Sequence, residues 1–123
     1  MPIPRITKEE LKSRLESEAG RPVLVDARLK YPYEHSTVKL PGAVRVKPDA
    51  PDFALVPAAA DVVVYDSDPD ELVSARICAE LIRRGHRAAA LRGGISEWLA
   101  ASFPTETKTA PKPAAPVPGS LKG

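Results

Sequence analysis

The run Asp61-Val62-Val63-Val64-Tyr65-Asp66 limits the possible fold more than any other stretch. Its apolar residues are consecutive and mostly β-branched, with an acidic residue at either end. A strand with no polar position between its apolar ones has no face to give to water. It belongs in the interior of a sheet, with a layer of structure on each side. The segment Pro22–Arg28 repeats the pattern, because Val23, Leu24 and Val25 run together before Asp26.

Helical patterns between these runs supply the layers. In ITKEELKSRLESEAG, Thr7 and Glu10 have the spacing of a capping box, and Leu11 and Leu15 share one face. Gly20 and Pro22 stop that helix. The segment LKYPYEHSTVK reads as irregular with a single helical turn. LPGAVRV reads as a turn entering a short strand, with Val44 and Val46 on one side. Prolines make KPDAPDFALVP a loop. A long helix is predicted from about Pro69 to Arg84, ended by Gly85. RAAAL then forms a strand, RGG a turn, and ISEWLAA a helix with Ile95, Trp98 and Leu99 on one face. Strands alternating with helices predict an α/β fold: a small domain with a central parallel sheet and helices on both faces.

The chain has 123 residues, which suits one domain. Residues 1–103 form that domain in this reading. Residues 104–123, rich in Pro, Ala and Lys, form a disordered tail or linker. The PAAP stretch, Pro113–Pro116, reads as part of the linker rather than as a recognition motif. The net charge of +2 comes from the tail, because residues 1–103 carry equal numbers of basic and acidic side chains. No basic stripe studded with aromatics points to nucleic acid. No apolar run suits a membrane span, and MPIPRITKEE lacks the apolar core of a secretory signal. A cytoplasmic protein is expected, with neither nucleic acid nor membrane as partner. The single cysteine, Cys78, excludes an internal disulfide and a multi-thiolate zinc site. It falls among Ala75, Leu81 and Ile82, opposite the polar stripe of Arg76, Glu80, Arg83 and Arg84, and reads as a buried small hydrophobe.

Ligands of parallel sheets sit beyond the carboxyl ends of the strands. There the chain places Asp66, Ser67, Asp68, Pro69, Asp70 and Glu71. As a helix start, the stretch makes Asp68 the N-cap, Pro69 the first helical residue and Glu71 the partner in a capping box. As a chemical site, Asp66-x-Asp68 after an apolar strand resembles the first motif of haloacid-dehalogenase-type phosphatases. In that family the first Asp is the nucleophile and both carboxylates hold magnesium. Asp70 departs from that motif, which has Thr or Val there. A calcium loop is excluded because Glu71 stands where the sharp turn needs Gly. An oxyanion at the helix start is disfavoured, since several carboxylates would repel it.

Taken in order, VLVDARLKYPYEH, LPGAVRV, VVVY and LRGGISEWLAA resemble a rhodanese-like domain over roughly residues 6–106. Many members of that family transfer sulfane sulfur through a cysteine persulfide. The cysteine begins the loop after the VVVY-type strand, and backbone N–H groups and a helix dipole stabilise its thiolate. One variety has the loop Cys-x-Cys-Pro-Asn-Glu running into Ser-Ala-Arg. This chain reads DSDPDELVSAR, matching at Pro69, Glu71, Ser74, Ala75 and Arg76, with Asp66 and Asp68 at both cysteine positions. Asp26 and Arg28 match the family's Asp-x-Arg. With Ser74 and Arg76 they are candidate supports of the loop. His35 carries no family role, since Lys39 stands where a family His often precedes the Pro-Gly turn. His86 is expected near a helix end, and Trp98 in the core.

The resemblance implies a rhodanese-like domain without its persulfide-forming cysteine: a non-catalytic binding or regulatory module for a protein partner or fused domain, with no cofactor or metal. An atypical sulfurtransferase and a carboxylate-based, metal-dependent phosphatase or hydrolase are the alternatives.

Overall fold

A computed structural model of the chain describes residues 3–17, 20–67 and 71–108. Five strands form a parallel sheet: β1 (Arg5–Ile6), β2 (Val23–Asp26), β4 (Val44–Arg45), β5 (Asp61–Tyr65) and β6 (Arg87–Leu91), in the order β1-β6-β5-β2-β4. β5 is the centre, with Val62–Val64 paired to Ala88–Ala90 on one side and to Val23–Val25 on the other. The predicted α/β architecture is therefore the one observed. β1 was not anticipated. Two residues beside a proline carry no period of their own, and pairing with β6 alone makes them a strand.

The uninterrupted apolar runs divide between two cores. Val62 and Val64 point to a cluster with Ile77, Cys78 and Leu81 of α3 (Leu72–Arg83). Val63 and Tyr65 point to the opposite cluster. That cluster includes Leu11 of α1 (Lys8–Glu16) and Ile95 and Trp98 of α4 (Gly94–Ala100). Leu11 and Leu81 are fully buried, a contribution of about 1.5–3 kcal/mol each. The Thr7–Glu10 capping box forms reciprocally: the Thr7 hydroxyl accepts from Glu10 N at 3.1 Å, and Glu10 Oε1 accepts from Thr7 N at 3.2 Å. Trp98 is fully buried, and its Nε1 donates to Pro104 O at 2.7 Å.

Some boundaries differ from the sequence reading. The irregular LKYPYEHSTVK segment contains α2 (Lys30–His35) and β3 (Val38–Lys39). β3 pairs antiparallel with β7 (Glu106–Thr107), and Lys108 N donates to Thr37 O at 2.9 Å. This two-stranded ladder thus includes residues past 103, Glu106 and Thr107 pairing with Lys39 and Val38. The rest of the expected tail lies outside the described residues. Leu99 is 44% exposed rather than in the core with Ile95 and Trp98, since α4 is short and presents a narrow apolar face. His86 lies beyond the end of α3, where its Nδ1 is 3.2 Å from Ala60 O.

Candidate functional site

β2 continues outward to β4, while β5 continues through α3 to β6 on the other side. The loops leaving β2 and β5 therefore diverge, the arrangement that opens a crevice at the carboxyl ends of a parallel sheet. Asp66 stands at the end of β5. It is 1% exposed, and its Oδ2 accepts from Ser74 N at 2.6 Å. Ser74 N is the third amide of α3, one of the donors that a helix start leaves without an internal partner. A carboxylate brought from the end of the central strand thus caps the helix, where charge also favours an anion. Its backbone carbonyl accepts from Ile95 N at 2.9 Å, tying the strand end to α4.

Glu71 corrects the expected capping box. The helix begins at Leu72, with Glu71 as its N-cap at φ 60°, and the Glu71 side chain makes no capping bond. It turns back across the domain instead. Its Oε1 receives Arg5 Nε at 2.6 Å, and its Oε2 receives Gly93 N at 3.1 Å. At 8% exposure it is a buried clasp between α3, β1 and the turn before α4. The local spacing suggested a cap, but the tertiary partners Arg5 and Gly93 took the carboxylate. Ser67 is half-buried. Asp68, Pro69 and Asp70, the expected N-cap and first turn among them, lie outside the described residues. The Ser74 hydroxyl donates to Glu71 O at 3.3 Å.

Asp26 and Arg28 form a buried, two-pronged ion pair, with Arg28 Nε to Asp26 Oδ1 at 2.9 Å and Nη2 to Oδ2 at 2.6 Å. Arg28 Nη2 also donates to Val38 O at 3.0 Å. Arg45 Nη1 donates to Asp26 O at 3.2 Å and to Arg28 O at 2.6 Å. These bonds join β2, β3 and β4. Burial pulls the Arg28 guanidinium down, but its bonds to Asp26 outweigh that effect and hold it above the ordinary value. Burial holds Arg45 below the ordinary value. Tyr65 is raised well above the ordinary phenol value, mainly by burial and then by the Asp26 charge. Its hydroxyl accepts from Leu40 N at 3.2 Å.

Arg76, on the exposed side of α3, does not join the Asp26–Arg28 pair. It lines a cleft of about 670 Å³ with Lys30, Tyr33, Arg45 and Lys47. Arg45, Lys47 and Tyr33 carry no local signature, and only the approach of α2, the segment after β4, and α3 groups them. Among the described residues, no cluster of His, Cys, Asp or Glu is suited to hold a metal.

Cys78 is fully buried on α3. Burial, reinforced by the Asp66 charge, pushes its thiol up to about 12. The folded state thus favours the protonated thiol. That contribution to stability is intact below the ordinary thiol value near 9 and is lost as pH rises toward 12. At pH 8 the thiol is expected to react with Ellman's reagent at the rate of global opening, reaching one equivalent only in denaturant. Rapid native-state labelling would contradict its burial.

A family model described as "Rhodanese-like domain" matches residues 7–101. The chain belongs to the rhodanese-like domain family. No curated protein matches it. Among solved structures, a full-length protein from Lactobacillus plantarum has a TM-score of 0.73 at 22% identity, with 85% of this chain and 88% of that one covered. A rhodanese-related protein from Thermoplasma volcanium has a TM-score of 0.65 at 13% identity, covering 84% and 97%. The rhodanese-like domain of a protein from Anabaena sp. has a TM-score of 0.64 at 23% identity, covering 86% and 80%. At such identities these likenesses establish the fold. Among the described residues, no helix is long and apolar enough to cross a membrane.

Proposed function

We propose that this protein is a non-catalytic member of its family, a binding or regulatory module in which Asp66 occupies the position of the persulfide-forming cysteine. The carrying observation is the bond from Ser74 N to Asp66 Oδ2 at 2.6 Å. A helix start that stabilises a thiolate in a sulfurtransferase here receives a carboxylate belonging to the chain itself. A carboxylate forms no persulfide, and its charge opposes an incoming sulfur oxyanion. Cys78 offers no replacement, being buried and held protonated.

The test is thiosulfate:cyanide sulfurtransferase activity of the full chain. Turnover no higher than that of a heat-inactivated sample is expected. Activity well above it, abolished by Cys78→Ser, would sink the reading. In the same assay Asp66→Cys combined with Asp68→Cys is expected to gain activity, because the helix start still favours an anion. A thiol at position 66 that titrates above ~8.5 would show that this end of α3 no longer stabilises one.

A further inference from the structure

The cleft beside this site has a charge pattern that the helix cap does not use. Lys30 enters from α2, Arg45 and Lys47 from β4 and the residues after it, and Arg76 from the second turn of α3. Among the described residues of its lining, Glu34 and Asp49 are the acidic ones, so cations outnumber carboxylates two to one there. Residues 1–103 as a whole are balanced in charge, which makes this a local concentration. Lys30, Lys47 and Arg76 are exposed, and among the described residues their side chains make no ion pair or hydrogen bond. Arg45 is fixed by its bonds to Asp26 O and Arg28 O, with its guanidinium 4.0 Å from the centre of the Tyr33 ring. Leu29, 49% exposed, adds an apolar wall.

The form of the patch narrows the ligand. A compact oxyanion needs donors that converge on one point, and the nearby α3 amide at Ser74 already donates to Asp66. The free cations stand on separate elements instead, where they meet charges spaced along a chain. Glu34 and Asp49 oppose a polymer with a phosphate at every residue, but they leave room for a peptide whose acidic side chains are interspersed with apolar ones.

We propose that the cleft framed by Lys30, Arg45, Lys47 and Arg76 docks an acidic peptide segment of a partner protein, with Leu29 receiving an apolar side chain. This rests on the reading of the domain as a binding module and names the kind of partner it takes.

The test uses the full chain, isotope-labelled for amide NMR and titrated with the blocked hexapeptide acetyl-Glu-Glu-Leu-Glu-Glu-Leu-amide. Parallel titrations use hexalysine, inorganic phosphate and a short single-stranded oligothymidine. Saturable shifts are expected at Leu29, Lys30, Lys47 and Arg76 with the acidic peptide, weakening as salt is raised. Lys47→Glu with Arg76→Glu should weaken binding about tenfold or more, as rim attractions become repulsions. Both positions are exposed, and the variant's own amide spectrum reports its fold. If that spectrum changes globally, Arg76→Ala alone must weaken the peptide instead. The proposal is overturned by absence of saturable shifts at millimolar peptide, by shifts centred elsewhere, or by affinity indifferent to the charge reversals. Tighter binding of oligothymidine or phosphate at the same residues also overturns it, assigning the cleft to nucleic acid or to a small oxyanion. Sulfurtransferase turnover on the same sample separates the two readings. Turnover removes the non-catalytic one, whereas failed peptide binding without turnover removes only this one.

Discussion

Arg28→Ala is expected to destabilise the domain by about 3–5 kcal/mol. The Asp26 carboxylate is 1% exposed and takes both prongs of Arg28. Removing the guanidinium strands that charge in the interior, and Arg45 is a poor substitute, with its Nη1 3.8 Å from Asp26 Oδ1. The variant also loses the donor to Val38 O, and with it the tie from β2 to the β3–β7 ladder. Urea unfolding at neutral pH measures the loss. The double variant Arg28→Ala with Asp26→Asn should recover part of it, because the stranded charge is gone. A loss for Arg28→Ala below ~1 kcal/mol would show that the pair is not held as described.

Gly94→Ala is expected to cost about 2–5 kcal/mol. Gly94 sits at φ +59°, and a Cβ there would lie 2.2 Å from the backbone oxygen of Asp66. A side chain in the left-handed region costs about 1–2 kcal/mol, and overpacking adds about 1–3 kcal/mol. Because the obstacle is backbone, relief requires moving the end of β5 away from the start of α4. That movement breaks the bond from Ile95 N to Asp66 O and shifts the carboxylate that caps α3. The amide resonances of Ser74 and Ile95 should therefore move as stability falls. Retained stability with both resonances unmoved would contradict the contact. The second glycine of RGG thus does more than turn the chain: it lets α4 begin against the peptide that carries Asp66.

The architecture was largely legible. Consecutive apolar residues in Val62–Tyr65 and Val23–Val25 demand two covered faces, and the two cores on either side of β5 meet that demand. The Thr7–Glu10 box was legible for the same reason, since both its bonds lie within one helical turn. β1, β3 and β7 were not. Each has two residues and exists only through its partner in the ladder.

The candidate site divides along the same line. Asp66 stood out from its place after the central strand. The Glu71 side chain was assigned to a capping box because its spacing fitted one, and although Glu71 does stand at the helix start, its carboxylate goes to Arg5 and Gly93. No local pattern marked Arg45 or Lys47 beside Arg76, because the elements that carry them are far apart in sequence.

The sequence by itself determined which segments must be buried, in what order strands and helices follow, and that the single cysteine lies within a helix rather than at the end of a strand. Those features follow from side-chain period and residue type, which act over a few positions. The tertiary structure decided which carboxylate caps α3, which clasps β1, and which cations share a cleft. Such pairings depend on distance in space, and a sheet that brings residue 5 to residue 71 creates them without leaving a trace in either neighbourhood.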